Sequence, residues 1–184
     1  MDTHYINEVL KGNTEAFGHL IRIHQNKAFG IALSMVKNEE RAKDVVQESF
    51  ITAYASLSSF RNESKFSTWL YRIVVNRSLQ FLNREKRKEE VIQDYLITDD
   101  EKAAYNDALG QLKNQDLKVL IKRVFERIPR KEALVLQLFY IDSQSITEIE
   151  EITTFSKGNI KVLLHRGRNS FYKILKEEKK YKPY

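Results

Sequence analysis

The stretch ERAKDVVQESFITAYA, residues 40–55, decides the fold. Ala42, Val45, Val46, Ser49, Phe50, Ala53 and Tyr54 recur at steps of three and four. That is the spacing of one side of a helix with 3.6 residues per turn. The opposite side carries Lys43, Asp44, Gln47 and Glu48. Asn38 is placed to cap the start, and Glu39 and Glu40 fall in the first turn, where the helix dipole favours carboxylates. A helix this apolar along one side needs neighbours, and the flanking sequence supplies them. Residues 5–36 read as two helices, with Ile6, Val9, Leu10, Phe17, Leu20, Ile21, Phe29, Ile31, Leu33 and Val36 at helical spacing. Residues 56–65, SLSSFRNESK, break the pattern and predict a loop. A long helix is predicted over 66–88, with Trp69, Leu70, Ile73, Val74, Phe81 and Leu82 along it and the basic run NREKRK at its end.

Further along, periodicity weakens over 89–116, which contains Asp99, Asp100, Glu101 and Gly110 and reads as a linker. Helical signals return at 117–128, ending before Pro129, and at 130–140, 145–153 and 157–176. Ile146, Ile149, Ile152, Phe155, Ile160 and Leu164 describe a short helix, a tight turn and a second helix, the spacing of a helix-turn-helix. The expected architecture is all-α: two small helical domains, 1–88 and 117–184, joined by a flexible acidic linker, 89–116, the second domain being the helix-turn-helix. Six Gly and two Pro in 184 residues are few for a turn-rich β or α/β fold.

Other classes fall away on composition. With no cysteine, there is no disulfide scaffold, thiolate zinc site, iron–sulfur cluster or cysteine nucleophile. The longest apolar run, 133–141, is about half a membrane span and includes Gln137. The start, MDTHYINEVLKG, has neither the basic nor the apolar region of a signal peptide, so a cytoplasmic protein without direct membrane insertion is expected. The four histidines are scattered, and His19 and His24, five apart, do not share a face as metal-binding pairs do. Neither a Gly-rich phosphate loop nor a catalytic constellation is present, so no enzyme activity, cofactor or metal is expected.

Charge is distributed in blocks. Residues 61–88 carry eight basic against two acidic residues, 89–116 carry two against eight, and 157–184 carry nine against two. Basic blocks suit phosphate, because neutralising it releases condensed counterions. In the first block Phe60, Phe66, Trp69, Tyr71 and Phe81 alternate with Arg61, Lys65, Arg72, Arg77 and Arg84, and Asn62, Asn76 and Asn83 lie among them. Aromatic rings stack on unpaired bases, guanidinium groups hold phosphate, and Asn reads a base edge. Phe60 and Phe66, beside the polar loop, are the candidates for stacking; Trp69 reads better as core. In the second block, the last helix displays Lys161, His165 and Arg168 along one stripe and Arg166, Asn169 and Lys173 along another, opposite Ile160, Leu164, Gly167, Phe171 and Ile174.

These strings carry a family resemblance. Asp44-Val45-Val46-Gln47-Glu48-Ser49-Phe50, Phe60-Arg61, Phe66-Ser67-Thr68-Trp69-Leu70-Tyr71-Arg72-Ile73 and Asn76 resemble the second domain of extracytoplasmic-function (ECF) sigma factors. Ile128-Pro129-Arg130, Ser145-Ile146-Thr147-Glu148-Ile149, Gly158-Asn159-Ile160-Lys161 and Leu164-His165-Arg166-Gly167-Arg168 resemble that family's fourth domain. The resemblance implies a transcription initiation factor that takes core RNA polymerase to promoter DNA. It implies that Asp44, Gln47, Glu48 and Phe50 dock on the β′ clamp helices, with the β flap as a further polymerase contact. It implies that the loop Phe60, Arg61, Asn62, Ser64, Lys65 captures a flipped base of the −10 element, that Asn76 helps read that element, and that Arg77 and Arg84 belong to the same surface. Lys157, Asn159, Lys161, His165, Arg166, Arg168 and Lys173 then face the −35 element, the acidic linker threads a basic polymerase channel, and an anti-sigma factor regulates the chain.

Three positions depart from the family pattern. The turn is Thr153-Thr154-Phe155, without the usual Gly; Glu150 stands where Ala is usual; Val162 and Leu163 stand where polar readers are often found. Two rival readings are a dimeric helix-turn-helix repressor, which leaves the 38–88 motifs unexplained, and a nucleic-acid-processing enzyme, which needs a carboxylate constellation beside the basic surface.

Overall fold

A computed structural model describes residues 2–93 and 114–180, with side chains described over 2–87 and 119–178. The elements are α1 (Asp2–Leu10), α2 (Glu15–Val36), α3 (Glu39–Ala55), a 3₁₀ turn (Leu57–Ser59), α4 (Phe66–Gln93), α5 (Asn114–Arg127), α6 (Arg130–Leu136), a π turn (Gln137–Ile141), α7 (Ile146–Thr153) and α8 (Lys157–Lys180). Among the described residues every regular element is helical.

In the first half, α2, α3 and α4 pack on one another and α1 lies along α2. Leu20, Ile31, Ala32, Val45, Leu70 and Val74 are buried between them. In the second half, α8 is covered by α6, α5 and α7, around Ile128, Leu134, Leu138, Ile149 and Ile160. Each of these Val, Leu and Ile side chains stabilises the fold by about 1.5–3 kcal/mol when fully buried. The crossing of α6 and α8 is close at Gly167, where an added Cβ meets Leu136 Cδ1 at 3.0 Å. The halves also touch each other, α7 on α4 and α6 on α2.

The predicted Asn38 cap forms, and the structure adds a second. Asn38 is extended, and its side chain accepts from the Arg41 amide at 3.0 Å. Ser145 and Glu148 close a reciprocal capping box at the start of α7. The loop 56–65 begins with a 3₁₀ turn that buries Leu57.

Several boundaries differ from expectation. Helix α4 runs through 89–93, the first five residues of the expected linker, because no Gly or Pro interrupts it there, and α5 begins at Asn114. Residues 94–113, the rest of the expected linker, lie outside the described residues. The single helix predicted over 130–140 gives way at Gln137 to a π turn, in which the Asp142 amide donates to the Gln137 carbonyl at 3.0 Å. This wider turn brings the Gln137 and Asp142 side chains together, the Gln137 amide donating to Asp142 Oδ2 at 3.3 Å.

Candidate nucleic-acid interface

The polar face of α3 is built as its sequence dictates. Asp44, Gln47 and Glu48 are exposed and line a groove of about 380 Å³ with Ile51, Phe81, Arg84 and Glu85. Phe50 does not join them. It is 6 % exposed, edge-on to Phe17 with ring centres 6.4 Å apart, and forms the wall of a separate apolar groove of about 760 Å³ with Ile21, Phe29, Val46 and Tyr54. Position 50 belongs to the apolar stripe, and the stripe places it.

The loop before α4 mixes exposed and anchored residues. Arg61 and Asn62 are exposed, Ser64 is half-buried, and Asn62 takes a left-handed φ of 55°, a conformation Asn tolerates. Phe60 is half-buried in a three-ring cluster, 5.8 Å from Phe66 and 5.2 Å from Trp69. Phe66, read as a stacking candidate, is 3 % exposed and belongs to the core, while Trp69 is only half-buried. Lys65 reaches across to the other half and pairs with Glu148 at 2.7 Å. That bond, with the Ser145 amide, holds the Glu148 carboxyl down at about 2.

On α4, Asn76 is exposed. Arg77 and Arg84 are turned away from the loop toward α3. Arg77 grips Thr52 Oγ1 through Nη2 at 2.7 Å and Nε at 3.2 Å, and Arg84 lines the groove beside Asp44 and Glu48. Helical rotation accounts for this, since both lie on the α3 side with Phe81.

The helix-turn-helix is α7 and α8. Its turn has no Gly, and Thr154 supplies the left-handed residue itself at φ 63°, closing α7 as its N–H donates to the Glu150 carbonyl at 2.9 Å. A β-branched residue is strained there. Glu150 accepts from the Lys157 amide at 3.3 Å, so a carboxylate stands at the N-terminus of α8, where its dipole favours it. Lys157, Asn159, Lys161, His165, Arg166, Arg168 and Lys173 are all exposed, opposite buried Ile160, Leu164 and Ile174. Arg168 is drawn aside, donating to the Tyr140 hydroxyl at 3.1 Å. Leu163 is 7 % exposed and packs in the core, so of the two apolar departures only Val162 reaches the surface. Among the described residues no group of three His, Asp or Glu side chains is arranged to hold a metal ion, and no helix is long and apolar enough to cross a membrane.

Residues 20–88, which span α2, α3, the loop and most of α4, match the family model for Sigma-70 region 2. The whole chain is similar to the ECF RNA polymerase sigma factor SigW of Bacillus subtilis, 31% identical over 179 residues that cover 94% of this chain and 95% of SigW. This chain is an ECF-type RNA polymerase sigma factor. The ECF sigma-E factor of Escherichia coli K12 is 30% identical over 172 residues, 90% of this chain and 89% of that one. The sigma factor fold is also that of two solved structures. One is the sigma factor RpoE of Bartonella quintana in complex with the anti-sigma factor NepR, with a TM-score of 0.68 at 22% identity over 89% of this chain and 98% of that one. The other is CnrH in complex with the cytosolic domain of CnrY, with a TM-score of 0.66 at 20% identity over 96% and 97%.

Proposed function

We propose that this sigma factor divides promoter recognition between its two halves, one docking on polymerase and capturing the −10 element, the other reading the −35 element as duplex. The first half, about 1–88, binds the core polymerase clamp through Asp44, Gln47 and Glu48. An acidic face on a helix whose other side is core can meet a basic partner with little refolding, and opposite charge steers and registers the encounter. Arg61, Asn62 and Ser64, with Asn76, then hold bases of the −10 element as single strand. Unpairing costs a few kcal/mol per flipped base, and contacts to the exposed base offset it. The second half, about 117–184, lays α8 in the major groove, where Lys161, Arg166 and Lys173 hold phosphate and Arg166 can grip two acceptors of one base. The segment between the halves occupies the polymerase channel, where its acidic excess meets positive charge. No step makes or breaks a covalent bond, so the chain is a cytoplasmic binding factor rather than an enzyme, and an anti-sigma factor, as NepR is to RpoE of Bartonella quintana, is its natural regulator.

The observation that carries this reading is that α3 leaves Asp44, Gln47 and Glu48 exposed in one half of the chain and α8 leaves Lys161, Arg166 and Lys173 exposed in the other. Transcription by core polymerase with and without the chain, with start sites mapped on genomic DNA, tests it. Starts that appear only with the chain and share −10 and −35 sequences support it; unchanged starts overturn it.

A further inference from the structure

We infer that Val162, on the outermost stripe of α8 with Gly158 one turn before it, reads the C5-methyl group of a thymine in the −35 element. The inference rests on the placement of α8 in the major groove proposed above. Val162 is 46 % exposed, although Leu163 and Leu164, which follow it, are buried. Gly158, Val162, His165 and Asn169 succeed one another at steps of four, three and four, and all four are exposed. That spacing is one side of a helix. Buried Ile160, Leu164 and Ile174 mark the opposite side, so the stripe points away from the core.

Nothing within the chain accounts for these two residue types. Valine is a poorer helix former than the unbranched residues, and an exposed isopropyl group adds nothing to a core. Glycine is poorer still. Yet Gly158 has no left-handed φ to require it, and beyond its own helix no heavy atom of the described residues stands within 4 Å of an added Cβ. Gly167 on the same helix is the contrast, since an added Cβ there meets Leu136 at 3.0 Å. The room left at Gly158 opens outward, toward whatever lies against the helix.

The surroundings say what that is. Lys161 and Arg166 are exposed on the two flanks of the stripe, and Lys173 continues the charge along it. A major groove about 12 Å wide sets phosphates on both flanks of an inserted helix and base edges beneath it. The polar side chains further along the stripe are engaged with each other, the Asn169 amide and His165 Nε2 being bonded at 3.3 Å. The Gly158–Val162 end is therefore an apolar surface between cations. Of the four bases, only thymine presents an apolar group to the major groove, its C5 methyl. Val162 covers that methyl, and the missing side chain at Gly158 lets the helix come close enough for contact.

The test is holoenzyme binding to a promoter taken from the mapped starts, with each −35 thymine on either strand replaced in turn by deoxyuridine, which lacks only the methyl. Wild-type holoenzyme should lose about fourfold at one position, the factor for one CH₂-sized group left in water. Holoenzyme with Val162→Ala should bind the unmodified promoter several-fold more weakly and lose nothing further with deoxyuridine at that position. Its salt slope should equal that of wild type, because no charge is removed. At the same position 5-methylcytosine should bind wild type more tightly than cytosine. Gly158→Leu should weaken binding without lowering the unfolding temperature, since leucine is the better helix former. The inference is overturned if no deoxyuridine separates wild type from Val162→Ala, or if both proteins lose equally; Gly158→Leu that binds as tightly as wild type overturns the close approach. Binding indifferent to scrambling the whole −35 element overturns the proposed placement of α8 instead.

Discussion

The two basic surfaces of this sigma factor stand in opposite conditions. On the −10 side, Lys65 is bound to Glu148 of the other half, Arg77 is clamped on Thr52, and Phe60 is packed against Phe66 and Trp69. On the −35 side, Lys161, Arg166 and Lys173 are exposed with no ion-pair partner among the described residues. Under the proposed division of roles, Lys161, Arg166 and Lys173 are free to meet duplex, while Lys65 and Arg77 beside the −10 loop are engaged by the chain itself. A reader of intact duplex can be preformed, because its ligand exists before binding. A surface proposed to capture single strand has no ligand until polymerase melts DNA, and intramolecular partners hold Lys65 and Arg77 meanwhile.

The comparison breaks first at α3, whose face must work before either reader does. Reversing Asp44 and Glu48 to Lys should remove core polymerase from co-purification, since like charges across an interface cost several kcal/mol. Both side chains are exposed, so circular dichroism should show the fold intact.

The contact of α2 with α6 and the π turn, where Lys27 Nζ donates to the Asp142 carbonyl at 3.4 Å, gives the next largest effect. Burial raises the Asp142 carboxyl from 3.8 to about 6, against the Gln137 bond and the Lys27 charge, which pull it down. A carboxyl raised in the folded state favours folding when protonated, so its contribution is full below about pH 4 and lost as pH rises toward 6. Asp142→Asn removes that loss. The variant should match wild type near pH 4 and exceed it by about 1–3 kcal/mol above pH 6 in thermal unfolding. His24, Lys37 and Glu148, whose ionisation is also shifted, are common to both proteins and drop out of the difference. A constant gap across pH would place Asp142 outside that contact's electrostatics.

Within the readers, Asn76→Ala should lower discrimination at one −10 position by about 1–3 kcal/mol and leave other positions nearly unchanged. Loss spread evenly over promoter variants would make Asn76 a support of α4. The smallest effect belongs to α8. Lys161→Ala or Lys173→Ala should weaken holoenzyme binding almost equally on all −35 sequences and reduce the salt slope by about one. Relaxed specificity at one base pair with an unchanged slope would make that lysine a direct reader.

Local chemistry was legible in the sequence and long-range docking was not. The α3 stripe, the Asn38 cap and the buried side of α8 follow from period and residue type, which act within one element. Phe50 was legible too, since the stripe that fixed the helix already placed it inward. The Arg77 bond to Thr52 and the burial of Leu163 were not legible, because charge or position in a motif says nothing of helix rotation against a neighbour. The π turn is silent in the uniformly apolar 133–141, where a one-residue change of register leaves the pattern unaltered. Gly30, a glycine inside an otherwise helical pattern, was the available signal for the contact between the halves, but Gln137, whose Nε2 an added Cβ would meet at 2.6 Å, lies 107 positions away.

The central claim is that −10 recognition belongs to melted strand held in a holoenzyme. Gel shifts of one promoter fragment, fully paired or with a mismatched bubble at −10, should decide it with free protein and with holoenzyme side by side. The account predicts weak binding of both fragments by the free protein and tight, sequence-specific binding by holoenzyme, strongest on the bubble. Nanomolar, specific binding of the fully paired fragment by the isolated protein would contradict it and favour a conventional helix-turn-helix repressor.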